Sequence, residues 1–212
     1  MTYTVVARTP RAIGAATCSH STFLAAKTVH VAADLPAIAV SQAFSSPAIG
    51  LAALDDVRAG LPVTAAGHAA LSGDDDGDLR QLLVVTPDGV AAATGRGCVP
   101  SFGDGVDADR TVAVAGNMLA DDAVIPAMLT AAEEHAPVVT DPEIEQLIAR
   151  LLAALLGGSR AGGDFRGDRS AALVVVGTDG AARRVTVDDH DDPTAELARL
   201  AAHPAVAGVK FA

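Results

Sequence analysis

Residues 161–169 read AGGDFRGDR, setting Gly162, Gly163 and Gly167 among Asp164, Arg166, Asp168 and Arg169. From Ser170 the chain turns abruptly apolar and runs into four large aliphatics at 173–176. A polar, glycine-rich loop feeding a buried strand puts charged side chains at a strand mouth, where rigid scaffolds commonly hold their chemistry. Glycines let a backbone approach a ligand closely, and alternating acids and arginines can orient one. The competing reading is an Arg/Asp network that does no more than order a long loop, since ion-pair networks often serve structure alone.

A second candidate is Thr2. Its small side chain permits removal of Met1, which would leave Thr2 with a hydroxyl nucleophile and its own α-amino group as base. Such an amine titrates near about 7.7–8.0, suitably poised for proton transfer at neutral pH. The plain alternative is a Met-Thr start with no catalytic purpose.

Other acid-rich stretches read more simply. Asp74, Asp76 and Asp78 alternate as in a calcium loop, but the closing bidentate Glu would fall at Val85, inside a strand, so a solvated turn is expected. Residues 188–192 (DDHDD) could gather a metal, yet Asp192 is better used as a helix cap, and no further His or Cys sits at ligand spacing. No metal and no cofactor is expected. Lys27 is a lone cation in an apolar neighbourhood and is expected to snorkel. G-x-S-x-G, Walker, H-E-x-x-H and clean G-x-G-x-x-G signatures are absent.

The elements that must position these residues follow from periodicity and turn signals. Strands are expected at 2–8 and 12–19, then at 28–33 and 37–43. Ser46-Pro47 opens a helix running to about Gly60, and a shorter one follows Pro62. Strands at 79–86 and 90–94 flank a TPDG hairpin turn, and 95–109 reads as an irregular loop rich in Gly and Asp. A strand at 110–115 precedes helices at 121–135 and 141–156, the second opened by an Asp-Pro cap. The strands at 171–176 and 181–187 and a last helix from Asp192-Pro193 to about Ala202 complete the chain. Hairpins dominate, so the class is α+β, with largely antiparallel sheets and helices on their outer faces.

The composition suits one globular domain spanning 1–212. Half of the 212 residues are hydrophobic, but there are only five Phe, one Tyr and no Trp, so small side chains must let helices and sheets lie close. A formal net charge of −11 argues against nucleic-acid partners and against docking on anionic lipid. No apolar run approaches the roughly 20 residues needed to span a bilayer. The N-terminus lacks the pattern of a secretory signal, and two cysteines, Cys18 and Cys98, make no disulfide framework. A cytoplasmic protein with reduced thiols is expected.

In their order along the chain, several short motifs resemble the family catalogued as domain of unknown function 1028. They are the opening 2–8, Gln42-Ala43 with Pro47 and Gly50, Arg80-Gln81, Thr94-Gly95 with Cys98, and residues 116–119 (GNML). AGGD at 161–164, Arg166-Gly167, Ser170-Ala171, Asp188-Asp189-His190 and Glu196-Leu197 complete the set. The resemblance implies a fold similar to the N-terminal-nucleophile hydrolases, a four-layer αββα sandwich, and makes Thr2 the leading candidate nucleophile. On that footing an amidohydrolase acting on a small amide or peptide-like substrate is expected. Thr2, Asn117 and Asp164 form its catalytic set, with Gly116 and Asn117 offering oxyanion donors. Asp164, Arg166 and Arg169 would orient the N-terminus or grip a substrate carboxylate, and Ser170 and Gln42 would complete substrate binding. The rival expectation is a non-catalytic ligand-binding or oligomeric scaffold protein of the same fold, favoured by a 17–20 segment (TCSH) that offers no acid. A homodimer is the expected assembly.

Overall fold

The computed structural model describes residues 2–32, 34–136 and 143–203. The chain opens with a hairpin of two almost wholly buried strands, β1 (Thr2–Arg8) and β2 (Ala12–Ser19), with the bounds their sequence predicts. Strands β3 (Val29–Val31) and β4 (Ile38–Ala43) follow, then helices α1 (Pro47–Arg58) and α2 (Val63–Ser72). Next come β5 (Arg80–Thr86), β6 (Gly89–Thr94), β7 (Gly103–Val106) and β8 (Val112–Gly116). Helices α3 (Val124–Glu134) and α4 (Glu143–Arg160), strands β9 (Ser170–Gly177) and β10 (Ala182–Val187), and helix α5 (Pro193–Ala201) end the described order.

The strands form two antiparallel sheets, ordered β10-β9-β2-β1-β8-β7 and β3-β4-β5-β6. Side chains alternate faces along a strand, so each sheet supplies two layers of core. Tyr3, Val5 and Ala7 of β1 pack with Met128, Leu147, Leu151 and Leu155 of α3 and α4. Val6 instead joins Ile13, Ala113 and Val174 against Ile38, Val40, Leu83 and Val85 of the second sheet. The far face of that sheet, with Ala39, Leu82 and Val84, packs on Ile49, Ala53 and Leu54 of α1 and Ala70 of α2. The layers are therefore helix, sheet, sheet, helix, in a four-layer αββα sandwich. Most residues facing into either sheet surface are apolar because both surfaces are covered.

Several bounds differ from the sequence expectation, each for a local reason. The expected irregular loop at 95–109 contains β7, whose sequence GDGV has no strand-forming run; its pairing with β8 alone makes it an edge strand. Strand β8 starts at Val112 rather than residue 110, since Arg110 takes a left-handed backbone with φ 54°. Helix α3 starts at Val124, the Asp121 carboxylate accepting the Ala123 N–H in the preceding turn. Helix α4 runs past the expected end at Leu156 to Arg160. A side-chain carbon on Gly157 would stand 2.9 Å from the Ala127 carbonyl oxygen of α3, so its glycines serve close helix packing rather than a stop. Ser46 holds the N-cap position of α1 without a side-chain cap bond, whereas Asp192 caps α5 through Ala195 N–H. The expected caps at Asp141-Pro142, and residues 1 and 33, lie outside the described residues.

Candidate functional site

Five strands each carry a polar residue in one row on the surface facing the other sheet: Thr4, Thr17, Gln42, Gln81 and Thr94. Register explains their meeting, since Thr4 pairs with Thr17, Gln42 with Gln81, and Gln81 with Thr94. The same parity brings Thr2 level with Ser19, and Ser19 level with Ser170, one row nearer the strand ends. Thr2, Ser19, Gln42, Gln81, Asn117 and Ser170 are all essentially buried.

The directions of this network follow from what each group can donate or accept. Gln81 Nε2 lies 2.9 Å from Gly116 O and 3.3 Å from Gly103 O, so the amide nitrogen faces carbonyls and its Oε1 must accept. That oxygen takes Gln42 Nε2 at 2.9 Å and Asn117 Nδ2 at 2.7 Å. Gln42 Oε1 is then turned to Thr4, whose hydroxyl donates to it at 2.6 Å. With that proton used, the 2.7 Å contact between Thr4 and Thr17 is donated by Thr17. Asn117 sends both its backbone N–H and its Nδ2 to the Thr2 carbonyl, each at 3.2 Å. Flipping its amide would set oxygen against two acceptors, so Asn117 Oδ1 is the atom left over, buried and without a partner among the described residues. An unfilled buried acceptor costs about 1–3 kcal/mol.

Thr2 Oγ1 sits 3.4 Å from Ser19 Oγ, which also accepts the Ser21 N–H. Ser170 Oγ accepts from Ala25 N and donates to Ser21 O, tying the segment after β2 to the start of β9. Backbone strain gathers at this same end of the sandwich. Phe23, Ala43, Ser101 and Met118 all have left-handed φ, between 50° and 62°. They follow β2, end β4, precede β7 and follow Asn117. Each such non-glycine residue costs about 1–2 kcal/mol, and strain of this kind clusters at functional sites.

The glycine-rich loop is organised differently. Arg166 forks onto Asp164, with Nε to Oδ1 at 3.0 Å and Nη2 to Oδ2 at 2.7 Å, and its backbone N–H also meets Oδ1. Arg169 pairs with Asp189 and Asp191 at the surface. The loop therefore behaves as an ordered brace, and among the described residues no hydrogen bond or ion pair joins Asp164, Arg166 or Arg169 to Thr2. Asp168 turns to the helix-facing surface of the six-stranded sheet, where Tyr3 OH donates to it at 2.6 Å beside Cys18. Burial pushes the carboxyl of Asp168 up, and burial likewise raises the Tyr3 phenol and the Cys18 thiol.

The structure thus brings together Thr2, Asn117, Gln42 and Gly116 and, through Ser19, Ser170. Gln42 is spent inside the network, and the Asn117 N–H belongs to the Thr2 carbonyl rather than to an open oxyanion pocket. Gln81, the hub of the network, and Ser19 lie outside the site set that the sequence predicts. Their signal was present as polar residues at inward positions of apolar strands. The acid-rich stretches are likewise engaged. Arg80 bridges Asp74 and Asp76, His190 Nδ1 accepts the Asp192 N–H, and Asp192 caps α5. Among the described residues no cluster of His, Cys, Asp and Glu has the geometry to hold a metal, and no helix is long and apolar enough to cross a membrane.

The model of a family of unknown function, DUF1028, matches residues 2–197. Among solved structures, the chain is similar to a DUF1028 protein from Silicibacter pomeroyi. The two share 28% identity and a TM-score of 0.79, with 94% of this chain and 87% of that chain covered. It is also similar to a Gly-1 mutant of Anbu from Hyphomicrobium sp. strain MC1, at 14% identity and a TM-score of 0.49, with 94% of each chain covered. No curated protein matches it.

Proposed function

The chain belongs to the DUF1028 family, and from that premise we propose that it is an amidohydrolase cleaving a small amide or peptide-like substrate through Thr2. The observation that carries this reading is the pair of hydrogen bonds from Asn117 to the Thr2 carbonyl, which fixes residue 2 at the mouth between the sheets. Removal of residue 1 frees the Thr2 amine. That amine takes the hydroxyl proton as Oγ1 adds to the substrate carbonyl carbon, then returns it to the leaving nitrogen as the C–N bond breaks. Water hydrolyses the resulting ester by the same route in reverse. We assign the Ser19 hydroxyl, 3.4 Å from Thr2 Oγ1, as the side-chain donor to the developing oxyanion.

Intact-mass spectrometry after exposure to a β-lactone tests this. The expected result is loss of Met1 with one adduct mapping to Thr2, and neither adduct nor turnover in Thr2→Ala. Retention of Met1 in the native protein, or undiminished turnover in Thr2→Ala, sinks the mechanism. A second reading, a ligand-binding protein without turnover, is favoured by the commitment of Asp164 to Arg166, which leaves Thr2 without a carboxylate partner among the described residues. It predicts an unlabelled Thr2 in a protein that still binds small ligands.

A further inference from the structure

Large apolar side chains belong inside a protein, and this one has few to spare. The four phenylalanines among the described residues are nevertheless all exposed: Phe23 at 55%, Phe44 at 57%, Phe102 at 44% and Phe165 at 57%. They lie on four separate segments of the chain, and all four lie at the Thr2 end of the sandwich. The Phe23 N–H bonds Asp188 O just beyond β10, whose last residue pairs with Ala171. Phe44 follows the end of β4, one residue past the one joined to Gln42. Phe102 precedes Gly103, which pairs with Gly116, and the Phe165 N–H bonds Met118 O.

The strained residues coincide with these phenylalanines. Phe23 is itself left-handed, Ala43 immediately precedes Phe44, Ser101 immediately precedes Phe102, and Met118 supplies the carbonyl that holds Phe165. Phe165 carries the Arg166 guanidinium 5.7 Å from its ring centroid; the strain that turns Phe23, Phe44 and Phe102 toward water is offset where a ligand covers those rings. The same end holds Asn117 Oδ1, an acceptor with no donor among the described residues, on the side chain that bonds the Thr2 carbonyl. Exposed rings at the same end as a buried, unfilled acceptor suit a ligand with an apolar body and an N–H head.

We infer that the Thr2 end binds an amide with an apolar or aromatic substituent, its N–H accepted by Asn117 Oδ1 and its substituent held by Phe23, Phe44, Phe102 and Phe165. This rests on the Thr2 end being the site, as proposed above, but not on turnover there.

Calorimetric titration with 4-phenylbutyramide, its methyl ester counterpart methyl 4-phenylbutanoate, and butyramide tests it. The proteins are wild type, Thr2→Ala, and the triple variant Phe44→Ser, Phe102→Ser, Phe165→Ser, whose changes are all at exposed positions. Wild type and Thr2→Ala are expected to bind 4-phenylbutyramide. The ester and butyramide should each bind about tenfold or more weakly, and the triple variant should lose a similar factor, as expected when aromatic burial is lost. Equal binding of amide and ester overturns the inference, as do absence of 4-phenylbutyramide binding by wild type and unchanged binding by the triple variant. A wild-type dimer that the triple variant converts to monomer in sedimentation also overturns it, since the rim would then cover a second copy of the chain. Labelling of Thr2 is read separately by mass, so catalysis can fail while the binding pattern stands, and the reverse.

Discussion

Buried polar groups lie beside both ends of the paired strands β1 and β8, and the two ends are finished in opposite ways. At the Arg8 end, Asp107 accepts the N–H groups of Thr111 and Val112 at 2.7 and 2.8 Å and the Thr111 hydroxyl at 2.7 Å. Arg150 of α4 closes the cluster, reaching Asp107 Oδ2 at 3.4 Å, Thr111 Oγ1 at 3.0 Å and the Ala132 carbonyl of α3 at 2.9 Å. The group is charged, and both carboxylate oxygens and all three guanidinium nitrogens have partners. At the Thr2 end the network is neutral and hydrogen-bonded residue by residue until Asn117 Oδ1, where it stops. Four strained residues border that end, against Arg110 alone beside Asp107. A buried polar group whose partners are complete is architecture. One that stops short of its last partner, among strained loops, is where a ligand has something to complete.

The largest effect should come from breaking the complete end. Arg150→Ala strands the Asp107 carboxylate and is expected to cost about 3–5 kcal/mol in denaturant unfolding, while the protein that remains folded still labels at Thr2. A loss below about 1 kcal/mol would mean the charged cluster is not the brace its geometry implies. At the other end, Gln81→Met removes the acceptor of Gln42 and Asn117 and the donor to Gly116. A cost of about 1–3 kcal/mol is expected, with slower Thr2 labelling because Asn117 loses its anchor. Stability loss with unchanged labelling would separate the network from the nucleophile.

A smaller, pH-dependent effect concerns Asp168, on the opposite face of the sheet from Thr2. Burial raises its carboxyl above the ordinary 3.8. The folded protein therefore holds this proton more tightly than the unfolded chain does. The stabilisation is complete below 3.8 and is lost as pH rises through the raised value. The melting temperature of wild type relative to Asp168→Asn should fall across that window, and a pH-independent difference would show that Asp168 is not ionising in a buried site. Least should follow from Arg169→Ala, whose partners Asp189 and Asp191 are exposed; no shift in the unfolding midpoint is expected. A clear shift would return the glycine-rich loop to the centre of the molecule.

Local pattern made much of the fold legible. TYTVVAR and AIGAATCS predict β1 and β2 residue for residue, and Pro47, Pro62 and Asp192-Pro193 mark the starts of α1, α2 and α5. The strand β7 was not legible, because GDGV has no propensity of its own and is a strand through pairing with β8. The charged loop at 161–169 drew attention because its residue types suit chemistry. Composition, however, cannot say whether Asp164 faces a substrate or Arg166, which is two residues away and takes it.

What the sequence determined by itself is what short-range physics controls: helix starts, turn positions, the antiparallel α+β class and the small-residue core. Tertiary structure decided the site. Asn117 meets Thr2 across a sequence separation of 115, and Gln42 meets Thr4 across one of 38. Those meetings depend on strand register and on which sheet lies opposite, and both are set by the packing of the two sheets as a whole rather than by any residue's neighbours in sequence.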